Sequence, residues 1–257
     1  MAISDEREIL ERPPPPADRR IAYGSAPQQF GDLRLPVDGT GNYPLAIVLH
    51  GGFWRAQYDL LHIGHLCAAL AARGIATWNV EYRRVDQPGG GWPGTFEDVK
   101  AGAAIASTVP ELDRGNVVSI GHSAGGHLAL WLAAEGAVHG AVSLAGVVDL
   151  VEGARRNLGN GAVRMFMGGT PDQMPERYAQ ASPRARVPLG VPQILIHGEL
   201  DAVVPIELSR DYQQAAEAAR DDVTLHVLAE TGHFAVIDPL SHAWPTIENA
   251  VARLLHR

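Results

Sequence analysis

The stretch VVSIGHSAGGHLALWLA, Val117–Ala133, changes its period half-way along. It opens as a short apolar run rich in β-branched residues, the pattern of a buried strand, and closes as an alanine- and leucine-rich segment with the pattern of a helix. Between the two lies GHSAG, Gly121–Gly125. This matches G-x-S-x-G, with the strand before and the helix after that the motif requires. A serine on so tight a turn holds its hydroxyl out at the end of the sheet, near a helix N-terminus that favours developing negative charge. Ser123 therefore reads as a nucleophile. The plainer reading of the same residues is a glycine turn with Ser123 as N-cap.

Outward from this stretch the chain keeps alternating between the two periods. Apolar runs occur at LAIVLH (45–50), IATWNV (75–80), NVVSIGH (116–122), GAVSLAG (140–146), QILIHG (193–198) and VTLHVL (223–228). Helix-length amphipathic segments lie between most of them, at 58–73, 95–108, 124–135 and 206–219, with a last one from His242 to the C-terminus. Buried strands alternating with helices predict an α/β fold, a mostly parallel sheet with helices on both faces. The alternation breaks once. From Val147 to Val191 there are glycines, prolines and short helical patterns but no clear strand, which reads as a small cap-like insertion over the sheet. The body is expected to be one domain over 23–257, preceded by an N-terminal arm over 1–22. Within that arm Pro13–Pro16 are incompatible with a helix and suit a stiff polyproline segment.

Composition narrows the class of function. The chain has 257 residues, 46% hydrophobic and 19% charged, which is ordinary for a globular protein with a sizeable core. Its net charge of −8 is spread over interspersed acids and bases. That pattern lacks the basic footprint expected of a nucleic-acid or anionic-membrane binder. No apolar run approaches the roughly 18 residues of a membrane span, and the acidic N-terminus lacks the apolar core of a signal peptide. The single cysteine, Cys67, sits in an alanine-rich helical pattern and reads as a buried thiol. The expected location is cytoplasmic.

A serine hydroxyl needs a base to remove its proton, and the base needs an acid to orient it. QILIHGELDAVVP, Gln193–Pro205, places Asp201 just beyond a strand. VLAETGHFAVIDP, Val227–Pro239, places His233 just beyond the next one. The order Ser, Asp, His is the one this elbow arrangement uses, and all three fall at one sheet edge, where open α/β sheets bind ligands. Glu199 and Asp238 are rivals to Asp201, but the first stands earlier in its loop and the second follows the base. Among the other histidines, His50 and His197 read as loop-orienting groups, and His122 and His127 as local packing or capping groups. His62 and His65 lie three apart on a helix without a third ligand nearby, so no metal is expected.

Attack on a carbonyl creates an oxyanion that needs backbone N–H donors already in place. One is expected from Ala124, the residue after the nucleophile. The others must follow an earlier strand, and LAIVLHGGFWR, Leu45–Arg55, is suitably placed. Its glycines admit close approach of substrate to the backbone. Gly52 and Phe53 are the expected donors, and Phe53 and Trp54 are expected to wall the substrate pocket. Further along, Arg83 or Arg84 is expected to pair with Asp98 or Glu81 as scaffold.

Together these residues resemble the α/β-hydrolase superfamily from about Tyr23 onward. HGGFW is similar to the H-G-G-x-W signature of kynurenine formamidase-like enzymes and related esterases. Phe53 stands where hormone-sensitive-lipase relatives carry a third glycine. GHSAGGHLA, HGELDAVVP and GHF follow the same group's pattern. The resemblance implies a triad of Ser123, Asp201 and His233, oxyanion donors at Gly52, Phe53 and Ala124, and no cofactor. It implies a small-molecule ester or amide substrate, with an arylformamidase or carboxylesterase activity. Other activities open to such a chain are a prolyl-oligopeptidase-like peptidase and an acyltransferase. A ligand-binding scaffold without catalysis is disfavoured by the complete triad.

Overall fold

The computed structural model describes residues 7–255 apart from 38 and 40. Eight strands form one sheet: β1 (Arg19–Ala22), β2 (Phe30–Arg34), β3 (Tyr43–Leu49), β4 (Ala76–Val80), β5 (Leu112–His122), β6 (Ala141–Leu144), β7 (Gln193–Gly198) and β8 (Val223–Leu228). Their order across the sheet is β1-β2-β4-β3-β5-β6-β7-β8. β1 and β2 pair antiparallel with each other, and β2 antiparallel with β4; every other pairing is parallel. This is the α/β-hydrolase fold. The six strands from β3 to β8 coincide with the six apolar runs of the sequence.

The alternation of side chains divides the core into two layers, since successive residues of a strand face opposite sides. Leu45, Ile47 and Leu49 of β3 join one apolar cluster, and Ala46 and Val48 join the other. The second layer is closed by α1 (Glu8–Glu11), α2 (Gly64–Ala71) and α10 (Trp244–Leu255), through Ile9, Leu66, Leu70, Ile247 and Val251. The first layer is closed by α3 (Gly94–Ile105), α4 (Ala124–Ala134), the helices of the insertion and α9 (Glu207–Ala218). The insertion carries α5 (Leu150–Arg155), α6 (Leu158–Met167), α7 (Pro175–Ala181) and α8 (Pro183–Arg186), and no strand lies between β6 and β7 among the described residues. Asn157, which precedes α6, and Gly159, Asn160 and Gly161 at its start are all at positive φ.

The described part of the N-terminal arm packs on the rest of the chain. Residues 1–6 of the arm lie outside the described residues, but 7–22 are packed into the domain. Ile9 is a core residue, Arg12 pairs with Asp238, and Arg34 donates to the Pro15 carbonyl. Arg19–Ala22 is itself an edge strand. It carries two arginines and is largely exposed, so it has no apolar run to announce it in the sequence.

The parallel register brings the functional loops together. Leu49, the last residue of β3, pairs with Gly121; His122, the last of β5, pairs with Leu144; Gly198 of β7 pairs with Leu228 of β8. The segments that follow these residues leave the sheet at its carboxyl edge.

Candidate active site

Ser123 sits between β5 and α4 at φ 55°, ψ −116°, a conformation that L-residues adopt only under constraint. Its amide donates to the Leu144 carbonyl at 2.8 Å, which ties the turn to the neighbouring strand. The motif glycines are needed for contact distance. A Cβ on Gly125 would lie 1.9 Å from the Leu49 carbonyl oxygen, and one on Gly121 would lie 2.1 Å from the Gly125 carbonyl oxygen. Ser123 is 2% exposed, and its side chain makes no N-cap hydrogen bond to α4. The capping explanation for the serine is thereby lost.

Asp201 and His233 come together as expected, with Asp201 Oδ2 and His233 Nδ1 2.7 Å apart. The amides of Val203 and Val204 donate to Asp201 Oδ1, each at 2.8 Å. His197 Nε2 lies 3.2 Å from Oδ2 and also donates to the Val204 carbonyl, while Ser209 Oγ engages His197 Nδ1. His197 thus orients the Asp201 loop. Burial pushes the Asp201 carboxyl up, but the hydrogen bonds from His197 and His233 outweigh it and hold the group well below the usual carboxylate range. An ionised Asp201 fixes the imidazole with its proton on Nδ1, leaving Nε2 as the basic nitrogen. The rivals stand elsewhere: Glu199 is exposed, and Asp238 is paired with Arg12. His233 is joined to the elbow through His122, whose Nε2 donates to the His233 carbonyl and whose ring lies 4.5 Å from the His233 ring.

The loop after β3 makes a left-handed turn, with Gly52, Phe53 and Trp54 at φ 106°, 51° and 55°. The Arg55 amide donates back to the Gly52 carbonyl at 3.0 Å. Ala124, the other expected donor, opens α4 directly behind Ser123. Phe53 is half-buried, its ring against Gly159 at the start of α6. Trp54 is placed differently from expectation. It is 0% exposed within the core, stacked on Phe166 at 4.4 Å and edge-on to His127 at 5.3 Å. It anchors the loop between α4 and α6.

A second buried carboxylate supports the same loop. Glu81 accepts from the amides of Leu60 and Tyr82, lies 3.1 Å from His50 Nε2 and pairs with Arg84. Burial pushes its carboxyl up, and His50 and Arg84 more than offset this and hold it below its ordinary value. The His50 ring stacks on Tyr82 at 4.3 Å, and the Tyr82 hydroxyl donates to the His50 carbonyl. Arg83 pairs with Asp98, so both arginines are scaffold. The link from His50 to Glu81 was not foreseen, because only the fold brings the two strand ends together. Among the described residues no group of three His, Cys, Asp or Glu side chains could hold a metal ion, and no helix is long and apolar enough to cross a membrane.

Sheet order, elbow and carboxyl-edge loops together define the class as an α/β hydrolase. The chain belongs to the BD-FAE family, whose model matches residues 32–215. It is 29% identical to esterase LipC of Mycobacterium tuberculosis over 91% of this chain, and spans 65% of that relative's length. It is 25% identical to the kynurenine formamidase of Salmo salar, over 86% of this chain and 76% of the relative. In fold it is similar to a truncated carbohydrate esterase from gut microbiota, with a TM-score of 0.82, 19% identity, and coverage of 96% of this chain and 100% of the other. Esterase B of Lactobacillus rhamnosis gives a TM-score of 0.78 at 18% identity, covering 98% of this chain and 89% of its own.

Proposed function

We propose that the chain is a serine hydrolase that cleaves small carboxylic esters or amides through an acyl-enzyme, with aryl esters and N-formyl aryl amines as its substrates. The observation that carries this reading is the buried Asp201–His233 hydrogen bond at the same sheet edge as the strained Ser123 turn. His233 Nε2 takes the hydroxyl proton as Ser123 Oγ bonds to the carbonyl carbon. The carbonyl electron pair moves to oxygen, where the amides of Gly52, Phe53 and Ala124 hold it. The intermediate collapses, the bond to the leaving group breaks, and the departing alcohol or amine takes the proton from His233. Water then repeats the sequence on the acyl-enzyme and releases the acid. Asp201 stabilises the imidazolium at each step. No cofactor takes part.

The similarity to an esterase and to kynurenine formamidases supports both ester and formamide substrates. The aromatic preference rests on Phe53, half-buried next to the proposed oxyanion donors, where an aromatic leaving group gains roughly 0.5–1.5 kcal/mol beyond area burial. A long acyl chain would gain about 0.8 kcal/mol per CH₂ only in a groove able to bury it. The insertion, made of the short helices α5–α8, has no long apolar segment to build one. Steady-state kcat/KM for p-nitrophenyl acetate, butyrate and laurate, and for N-formylkynurenine, tests the reading. The expected order is acetate above laurate, with turnover of the formyl amide. Laurate above acetate removes the small-acyl preference, and ester cleavage without formamide cleavage leaves an esterase alone.

A further inference from the structure

Behind the proposed nucleophile a half-buried and a buried imidazole form a hydrogen-bonded chain that the reaction itself does not use. His62 Nε2 lies 2.7 Å from His122 Nδ1, and His122 Nε2 lies 2.8 Å from the carbonyl oxygen of His233. A carbonyl oxygen only accepts, so His122 carries its proton on Nε2 and accepts at Nδ1. The proton between the rings then belongs to His62 Nε2, which leaves His62 Nδ1 bare. That nitrogen is buried without a hydrogen-bond partner, the arrangement least costly for an unprotonated acceptor. Burial, with the neighbouring imidazoles, holds His122 well below its ordinary value and pushes His62 down to about 3. Both rings are therefore neutral near pH 7, as the chain of donors demands.

The pair touches three loops at once. His122 immediately precedes Ser123. Its ring packs on His233 and on Phe234, at 4.5 and 5.9 Å. Gly51, beside the proposed oxyanion donor Gly52, lies directly over the bond between the rings, since a Cβ there would come within 3.1 Å of both His122 Nδ1 and His62 Nε2. His62 is wedged by the rings of Tyr58 and Phe234. Without the His62 N–H, His122 Nδ1 is left as a buried acceptor without its donor, and the ring loses one of the two hydrogen bonds that hold it in place. A ring held only at Nε2 is free to tilt, and the His233 backbone that it tethers shifts with it.

We propose that His62 and His122 are a positioning pair for the base: His122 ties the His233 backbone to the nucleophile elbow, and the His62 N–H holds the His122 ring in the orientation that does so. The inference rests on Ser123, Asp201 and His233 acting as the triad. His62→Leu, which removes the donor, is expected to lower kcat for p-nitrophenyl acetate by about tenfold to a hundredfold, with KM within about twofold, as a displaced base does. His62→Gln, whose amide places an N–H near the position of Nε2, is expected to recover most of the loss. In the wild-type protein, ¹⁵N imidazole spectra are expected to show His122 as the Nε2–H tautomer from pH 5 to 8, a readout independent of how the variants fold. An unchanged kcat in His62→Leu, no recovery in His62→Gln, or an Nδ1–H tautomer at His122 overturns the proposal. Activity retained by Ser123→Ala would instead overturn the serine mechanism itself.

Discussion

Two buried carboxylates hold imidazoles at the carboxyl edge of the sheet, and the two sites differ in what they leave unengaged. Glu81 is met by two amides, the Arg84 guanidinium and His50. His50 is spent as well, with Nε2 on Glu81, Nδ1 2.8 Å from the Gly51 carbonyl, and its face against Tyr82. Asp201 is met by two amides, His197 and His233, with no guanidinium paired to it among the described residues. Its carboxylate therefore keeps the capacity to stabilise a charge that arises on His233. A carboxylate–imidazole pair with a built-in cation and both ring nitrogens engaged is scaffold. One that lacks the cation and has a nitrogen to spare is suited to moving a proton.

Amide substitution at each carboxylate is the sharpest way to break this contrast. Asp201→Asn is expected to lower kcat by about 10⁴, since the neutral amide neither fixes the tautomer nor stabilises imidazolium. Glu81→Gln is expected to keep kcat of the folded protein within about tenfold but to cost about 3–5 kcal/mol of stability, as Arg84 loses its buried partner. Kinetics and urea unfolding on both variants decide. A stable but inactive Glu81→Gln, or an Asp201→Asn with a tenth of wild-type activity, would erase the distinction.

The neighbouring aromatics of the loop after β3 divide in the same manner. Trp54→Ala removes a fully buried indole from between Phe166 and His127 and is expected to cost about 3–5 kcal/mol in urea unfolding. Phe53→Ala is expected to cost less stability and to change the ratio of kcat/KM between aryl and alkyl esters. If Trp54→Ala were as stable as the wild type and altered only that ratio, the indole would line the pocket after all.

Smaller effects belong to His62 and His127, away from the Asp201–His233 pair. Burial lowers His62 to about 3 and His127 to about 4, with the His50 and His233 charges adding to the effect at His62. Both folded values lie below the roughly 6.5 of an unfolded histidine, so the unfolded chain takes up protons first as pH falls. Their stability contribution is whole above pH 6.5 and is lost as pH drops toward 4 and then 3, by up to about 1.4 kcal/mol per histidine per pH unit. Urea midpoints at pH 7 and pH 5 measure it, and His127→Gln should narrow the difference. Equal midpoints at the two values would contradict neutral burial of these rings.

How much was legible beforehand follows from the range of each interaction. The strands from β3 to β8 are written in local apolar runs, and the elbow in five adjacent residues, so both could be read directly. Asp201 and His233 could be read because each directly follows a strand whose edge was already assigned. β1 could not, since an exposed edge strand needs no apolar pattern. The burial of Trp54 depends on Phe166, and the His62–His122 bond joins residues 60 positions apart. Those contacts exist only once α4, α6 and the loops are packed, and no local pattern encodes them.

The most direct measurement is the site and rate of covalent labelling by a fluorophosphonate, followed by intact mass and peptide mapping. One adduct per chain on Ser123 is expected. The adduct should be absent in Ser123→Ala, and its formation should slow by orders of magnitude in His233→Ala, while both variants unfold in urea as the wild type does. An adduct elsewhere on the chain, or ester turnover at the wild-type rate by folded Ser123→Ala, would contradict the assignment of Ser123 as nucleophile and His233 as its base.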